Sequence, residues 1–354
     1  MRRGLLVLGL VLSWAHIQLD EISTGADSPS ALAREGRLRE ALQAYPAALE
    51  SRASQSLDAD LVRGYLQARH LGQGEPQPRL ECATGNRSCQ MARLIADRYG
   101  SGIVRAPDAA GMVPFGWGES GHAVVRLAGT EGTQGAMVVD TASVATILPR
   151  SLQGSVQARL FDTRVANMGR LASLTLVRAG PFALGHWQLP EWVMAVTGQG
   201  FEREGVLGLD MLHSLGGIDI DTRARQLRFL GGRCPEAVSE RVTLEGGVPV
   251  ALVQIDGRPH RALLDTGSVR SYVHAPGAEH ARLRVVSDFG DVHLVGRTRV
   301  SHIRVVGVER VSKMVHTPEA QRFPVGTTAL LGADVLLSGG GMQFCFEPAR
   351  VRLY

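Results

Sequence analysis

Two stretches of this sequence carry the same four-residue pattern at the end of an apolar run, Val138-Val139-Asp140-Thr141-Ala142-Ser143 and Leu263-Leu264-Asp265-Thr266-Gly267-Ser268. Two aspartates brought into contact cannot both ionise cheaply, so their titrations split. One carboxylate then serves as a base toward water. The other, protonated, polarises a carbonyl and helps return a proton to a leaving group. A single Asp-Thr turn would mean little, because short motifs recur by chance. Its repetition carries the information.

The repeat extends far beyond the two loops. Leu207-Gly208-Leu209-Asp210 is echoed by Leu331-Gly332-Ala333-Asp334, Gly216-Gly217-Ile218 by Gly340-Gly341-Met342, and Gln226-Leu227-Arg228-Phe229 by Arg350-Val351-Arg352-Leu353. The aspartates stand 125 residues apart and the later Leu-Gly pairs 124 apart, so internal spacing is kept. Two similar units in tandem predict a pseudo-twofold arrangement in which equivalent loops meet across an axis.

Around the loops, short runs of Val, Leu and Ile alternate with glycine-bearing turns, as at 122–127, 136–139 and 250–255, the texture of an all-β unit. Upstream, Leu32, Leu38, Leu42, Tyr45 and Leu49 recur at roughly helical spacing and predict two or more helices over 28–73. A Gly/Pro/Gln connector follows at 72–79, and a further short helix is predicted at 91–99. The resulting division is a helical region over 28–110, either pro-segment or accessory domain, then β units over 118–232 and 240–354.

At 354 residues, with 44% apolar and 20% charged residues and 42 glycines, the chain can bury two or three turn-rich units. A formal charge of +4 with scattered arginines gives no nucleic-acid footprint. Met1-Arg2-Arg3 and the apolar run 4–15, broken by Ser13, match a secretory signal within 1–20, with an uncleaved anchor as the other reading. The run is too short to span a bilayer comfortably. In an exported chain the four cysteines, Cys82, Cys89, Cys234 and Cys345, are expected as oxidised pairs, since none has zinc-finger spacing.

The doubled loop, followed in each unit by an apolar pair and glycine, Val206-Leu207-Gly208 and Leu330-Leu331-Gly332, resembles the active site of the aspartic peptidases over about 118–354. The short halves are more similar to the retropepsin type than to full pepsin lobes. Neither carries a tyrosine where a pepsin flap falls, the tyrosines being Tyr45, Tyr65, Tyr99, Tyr272 and Tyr354. The resemblance implies a mainly β fold of two pseudo-twofold-related retropepsin-like β-barrel lobes with an α-helical N-terminal segment. It implies an endopeptidase in which Asp140 and Asp265 share a proton and activate water against a polypeptide substrate.

By the same resemblance Thr141 and Thr266 hydrogen-bond across the axis, and Ala142 and Gly267 leave the carboxylates open to backbone N–H groups. The hydroxyls of Ser143 and Ser268 are expected to donate to the outer oxygens of Asp140 and Asp265, setting an acidic pH optimum. Ala142 departs from the usual glycine, and its methyl adds strain if the position needs positive φ. The stretches 167–170 and 294–297 read either as flap tips or as surface hairpins. Cys82 is expected with Cys89, and Cys234 with Cys345, the latter tying the inter-unit connector to the last strand. No cofactor and no metal are implied, the chain is expected to be a monomer, and membrane association is confined to the N-terminus. Two other readings keep the fold: a catalytically inactive two-lobed binder of peptide or polymer, and an interaction module in the helical region.

Other chemistry-bearing residues have simpler roles. Asp210 and Asp334 are expected as helix N-caps, Asp219 and Asp221 in a β-hairpin, and Gly339-Gly340-Gly341 as a turn. Residues 118–121 lack the spacing of a serine-hydrolase elbow, and the eleven histidines show no ligand spacing.

Overall fold

The computed structural model describes residues 28–51, 58–73, 78–99, 111–119, 121–167, 170–197, 204–232, 234–238, 240–277, 281–287, 290–320, 323 and 326–354. The expected signal or anchor at 1–20 lies outside the described residues, as do Met168 and Gly169 of one expected flap tip. Among the described residues no helix is long and apolar enough to cross a membrane.

Among the described residues four helices come first: α1 Pro29–Arg34, α2 Leu38–Ser51, α3 Ala59–Leu71 and α4 Arg87–Tyr99. Ser28 starts α1 by accepting from Ala31 N at 3.2 Å, with proline in the first turn, and Asp58 starts α3 by accepting from Leu61 N at 3.0 Å. Gly36, at φ +77°, breaks α1 from α2. The predicted stripe of Leu32, Leu38, Leu42, Tyr45 and Leu49 is buried. Most of it packs in a core of the helices' own, with Tyr45 edge-on to Tyr65 at 5.9 Å. Leu38 and Leu71 turn instead into the β core.

The β region repeats one order of elements. Strand Ala123–Ala128 pairs antiparallel with Gln134–Val139, whose other edge takes the parallel strand Glu204–Leu207. Strand Val248–Ile255 pairs antiparallel with Arg258–Leu264, whose other edge takes the parallel strand Ala329–Leu331. Val206 and Leu207 of the first inserted strand and all of Ala329–Leu331 are apolar and buried. Each runs into a short helix, α5 Leu209–Ser214 or α6 Ala333–Leu336, and then into a hairpin, Ile218–Asp221 with Gln226–Phe229 or Gly341–Cys345 with Arg350–Leu353.

These two hairpins meet. Ile218–Asp221 pairs antiparallel with Gly341–Cys345 in a six-stranded sheet that Gly111–Pro114 and Glu240–Arg241 complete at its edges. Ile218 and Ile220 alternate with Asp219 and Asp221 as a strand's period of two requires, sending both isoleucines into the core. The sheet holds both halves of the β region in one body and fixes the distance between their loops.

Between each aspartate and its parallel strand lies a long hairpin, Val156–Asn167 with Arg170–Ala179, and Ala281–Ser287 with Gly290–Val305. The second expected flap tip is corrected by this register: Leu294 pairs with Leu283 and Arg297 with His316, so 294–297 is mid-strand. Its glycine marks a close approach instead of a turn, since a Cβ on Gly296 would stand 2.6 Å from the His316 carbonyl oxygen.

Both expected disulfides are present, Cys82–Cys89 with Cα atoms 5.4 Å apart and Cys234–Cys345 at 5.7 Å. The second ties the connector to the penultimate strand, not the last. Two disulfides are consistent with an exported protein.

Candidate active site

Strand Gln134–Val139 ends where the Asp140 N–H donates to Leu207 O at 3.1 Å, and Arg258–Leu264 ends where the Asp265 N–H donates to Leu331 O at 2.9 Å. The parallel strands thereby set the exit direction of both loops. Behind each loop the inserted chain is pinned again, Leu209 N to Ser143 O and Ala333 N to Ser268 O, both at 2.7 Å.

The loops are joined through their threonines. Thr141 Oγ1 donates to Leu264 O and Thr266 Oγ1 to Val139 O, each at 2.7 Å. In return Thr141 N donates to Thr266 Oγ1 and Thr266 N to Thr141 Oγ1, each at 3.1 Å. Both threonines are fully buried. Each such bond contributes about 1 kcal/mol net, while an orphaned buried partner costs about 1–3 kcal/mol, so the network resists loss of either hydroxyl.

This network brings Asp140 and Asp265 together, and their carboxyls hydrogen-bond to one another. Asp140 is buried, and its Oδ1 accepts from Ala142 N at 2.7 Å and Ser143 N at 3.0 Å. Burial pushes the Asp140 carboxyl above the ordinary aspartate value, against the opposing pull of those two N–H groups and of Asp265. Gly267 forms the wall beside it: a Cβ there would collide with Asp140 Cγ and stand 2.8 Å from Oδ1. Neither Ala142 nor Gly267 has positive φ, so the alanine carries no backbone strain.

Two expectations are corrected. The Ser143 and Ser268 hydroxyls do not face the aspartates; they donate at 2.8 Å to Ala145 O and Arg270 O, closing the turns. Asp210 and Asp334 are not N-caps, since Gly208 and Gly332 hold those positions. The two aspartates instead accept from Thr146 at 2.7 Å and Ser271 at 2.6 Å, and the same hydroxyls accept from Gly208 N and Gly332 N at 3.1 and 2.9 Å. Thr146 and Ser271 were absent from the sequence reading, although they too stand 125 residues apart.

Two histidines also approach the site. His122 donates to the Gly267 carbonyl, and burial pulls its imidazole below the usual range against that bond. His70, fully buried on α3, faces Asp210. No spacing in the sequence marks either one.

No family model matches the chain, and no curated protein matches it. Among solved structures, the chain is similar to the aspartic proteinase of Irpex lacteus with a TM-score of 0.46 and 14% identity, over 69% of this chain and 97% of that one. It is also similar to a protein of unknown function from Legionella pneumophila, with a TM-score of 0.18 and 21% identity over 25% of this chain and 83% of that one. Neither likeness bears on the chemistry of the loops. The fold and site themselves define a mainly β protein with a helical N-terminal region and two cross-bonded aspartate loops.

Proposed function

We propose that this chain is an aspartic endopeptidase whose two β halves are related by a pseudo-twofold axis through the loops. The observation that carries the reading is the contact of the Asp140 and Asp265 carboxyls inside the reciprocal Thr141–Thr266 network. A pair at contact holds one proton at working pH, because the second ionisation opposes the first. The ionised member takes a proton from water as that water attacks the scissile carbonyl. The protonated member donates to the developing oxyanion, and the pair then supplies a proton to the leaving amine. Thr141 and Thr266 keep the carboxyls at this separation, the preorganisation such a step needs. The hairpins Val156–Asn167/Arg170–Ala179 and Ala281–Ser287/Gly290–Val305 are suited to cover a bound polypeptide.

The chain is read as exported and monomeric, with any membrane attachment through its first residues. A second reading, peptide binding without turnover, is favoured by Ala142, whose methyl stands where the other loop has only hydrogen. Incubation of the full oxidised chain with a peptide library between pH 3 and 8 separates the two. Cleavage blocked by a statine-type inhibitor supports the peptidase; saturable peptide binding with no cleavage products overturns it.

A further inference from the structure

The two halves anchor their loops through the same aspartate but complete that anchor differently. In the second half Asp334 accepts from Ser271 through Oδ1 and from Ser312 through Oδ2 at 2.9 Å, both from its own half. In the first half Asp210 Oδ1 accepts from Thr146, whereas Oδ2 lies 3.4 Å from Nε2 of His70, which belongs to the helical region. The strand registers explain the difference. Ala195 bridges Ile147 as Val315 pairs with Tyr272, which sets Trp192 at the place of Ser312. Trp192 has a donor in its indole N–H, but that nitrogen makes no hydrogen bond in the structure, so Asp210 receives nothing from this position.

The tautomer of His70 follows from its neighbour. Gln73 Oε1 accepts from Val193 N and its Nε2 donates to Val193 O, both at 2.9 Å, which fixes the orientation of the amide. The same Nε2 stands 3.4 Å from His70 Nδ1, so Nδ1 is the acceptor and the proton sits on Nε2, facing Asp210. The Asp210 side chain and the His70 ring are almost wholly buried. The C-terminal part of α3 and the turn after it reach both halves: Gln67 and Leu71 fill the space beside Gly247 in the second, while His70 packs against Asp210 of α5 and Gln73, just past the helix end, bonds strand Trp192–Val196 in the first.

We propose, on the peptidase reading above, that His70 is a positioning residue for the first half-site and that the helical region is a permanent part of the peptidase, not a removable pro-segment. His70 Nε2 packs 3.4 Å from Asp210 Oδ2, a close polar contact and not a formed hydrogen bond, Asp210 accepts from Thr146, and Thr146 accepts from the Gly208 amide behind the loop that carries Asp140.

The test uses the full chain with His70→Leu, which keeps volume without a donor, His70→Gln, which keeps an N–H, and Ser312→Ala as the mirror change. In His70→Leu the amides of Ala142, Ser143 and Gly208 should exchange about tenfold faster or more, while those of Gly267, Ser268 and Gly332 hold. Ser312→Ala should give the opposite pattern. Per site titrated with a statine-type inhibitor, kcat should fall by up to about a hundredfold with KM unchanged, and His70→Gln should recover most of it. Faster exchange in both loops alike, or in neither, overturns the proposal. A wild type without turnover sinks the peptidase reading alone, because exchange still decides the role of His70. Should His70→Leu not fold, a protease site inserted at 101–110 and cut in the folded chain decides instead. The helical region should stay bound through gel filtration with the first loop still protected; its departure with undiminished activity overturns the proposal.

Discussion

The Asp140 carboxyl occupies the space that a side chain on Gly267 would fill, a Cβ there colliding with Cγ and lying 2.8 Å from Oδ1. The carboxyl cannot swing away without giving up its bonds from Ala142 N and Ser143 N, each worth about 1 kcal/mol net. Gly267→Ala should therefore lower kcat by about a hundredfold, although position 267 needs no positive φ. Ala142→Gly removes only a methyl on an unstrained backbone, at an entropic cost of at most about 1 kcal/mol. It should keep activity or raise it. Steady-state kinetics on both variants would expose an error if the two substitutions behaved alike.

Asp140→Asn and Asp265→Asn should each reduce kcat by about a thousandfold or more while the chain stays folded, because each carboxyl is both partner and proton carrier to the other. Thermal unfolding separates lost chemistry from lost structure. A variant retaining a tenth of wild-type turnover would sink the shared-proton mechanism.

How much of this was legible follows from which constraints are local. The loops, the strands before them and the buried stripe of α2 were readable, because periodicity and a repeat with 125-residue spacing are written in the chain itself. The cross-bonds of Thr141 and Thr266 followed only from resemblance. What a hydroxyl donates to was not readable: Ser143 has both a carboxylate and a carbonyl within reach, and the turn geometry gives it to Ala145 O. Gly296 reads as a turn from sequence because a glycine can mark either a bend or a close backbone approach, and the local pattern does not separate the two. His70 meets Asp210 from 140 residues away, a contact no local pattern encodes.

The serine hydroxyls close turns, so they should not set the ionisation of the aspartate pair. Ser143→Ala with Ser268→Ala should cost about 1 kcal/mol of stability per lost bond. Both limbs of the kcat/KM against pH profile should stay in place. A profile displaced upward in pH would show that the hydroxyls reach the aspartates during turnover.

Stability against pH tests what burial does to Asp140. Its carboxyl is raised above the reference value of 3.8 by burial, so the folded chain holds this proton at pH values where the unfolded chain has released it. Folding is then favoured most below 3.8, and that contribution is lost as pH rises through the folded value. Asp140→Asn does not titrate: its amide oxygen can accept from Ala142 and Ser143 N–H, and its amide nitrogen can donate to Asp265. The variant should therefore gain on the wild type as pH is raised from 3.8, with the difference levelling off above the folded value. His70 and Asp210 titrate in both chains and cancel in the comparison. Urea unfolding of both proteins from pH 3 to 8 measures it. A wild type that gains on the variant as pH rises would mean that the two N–H donors and the Asp265 bond outweigh burial, and that Asp140 carries the charge of the pair well into acid.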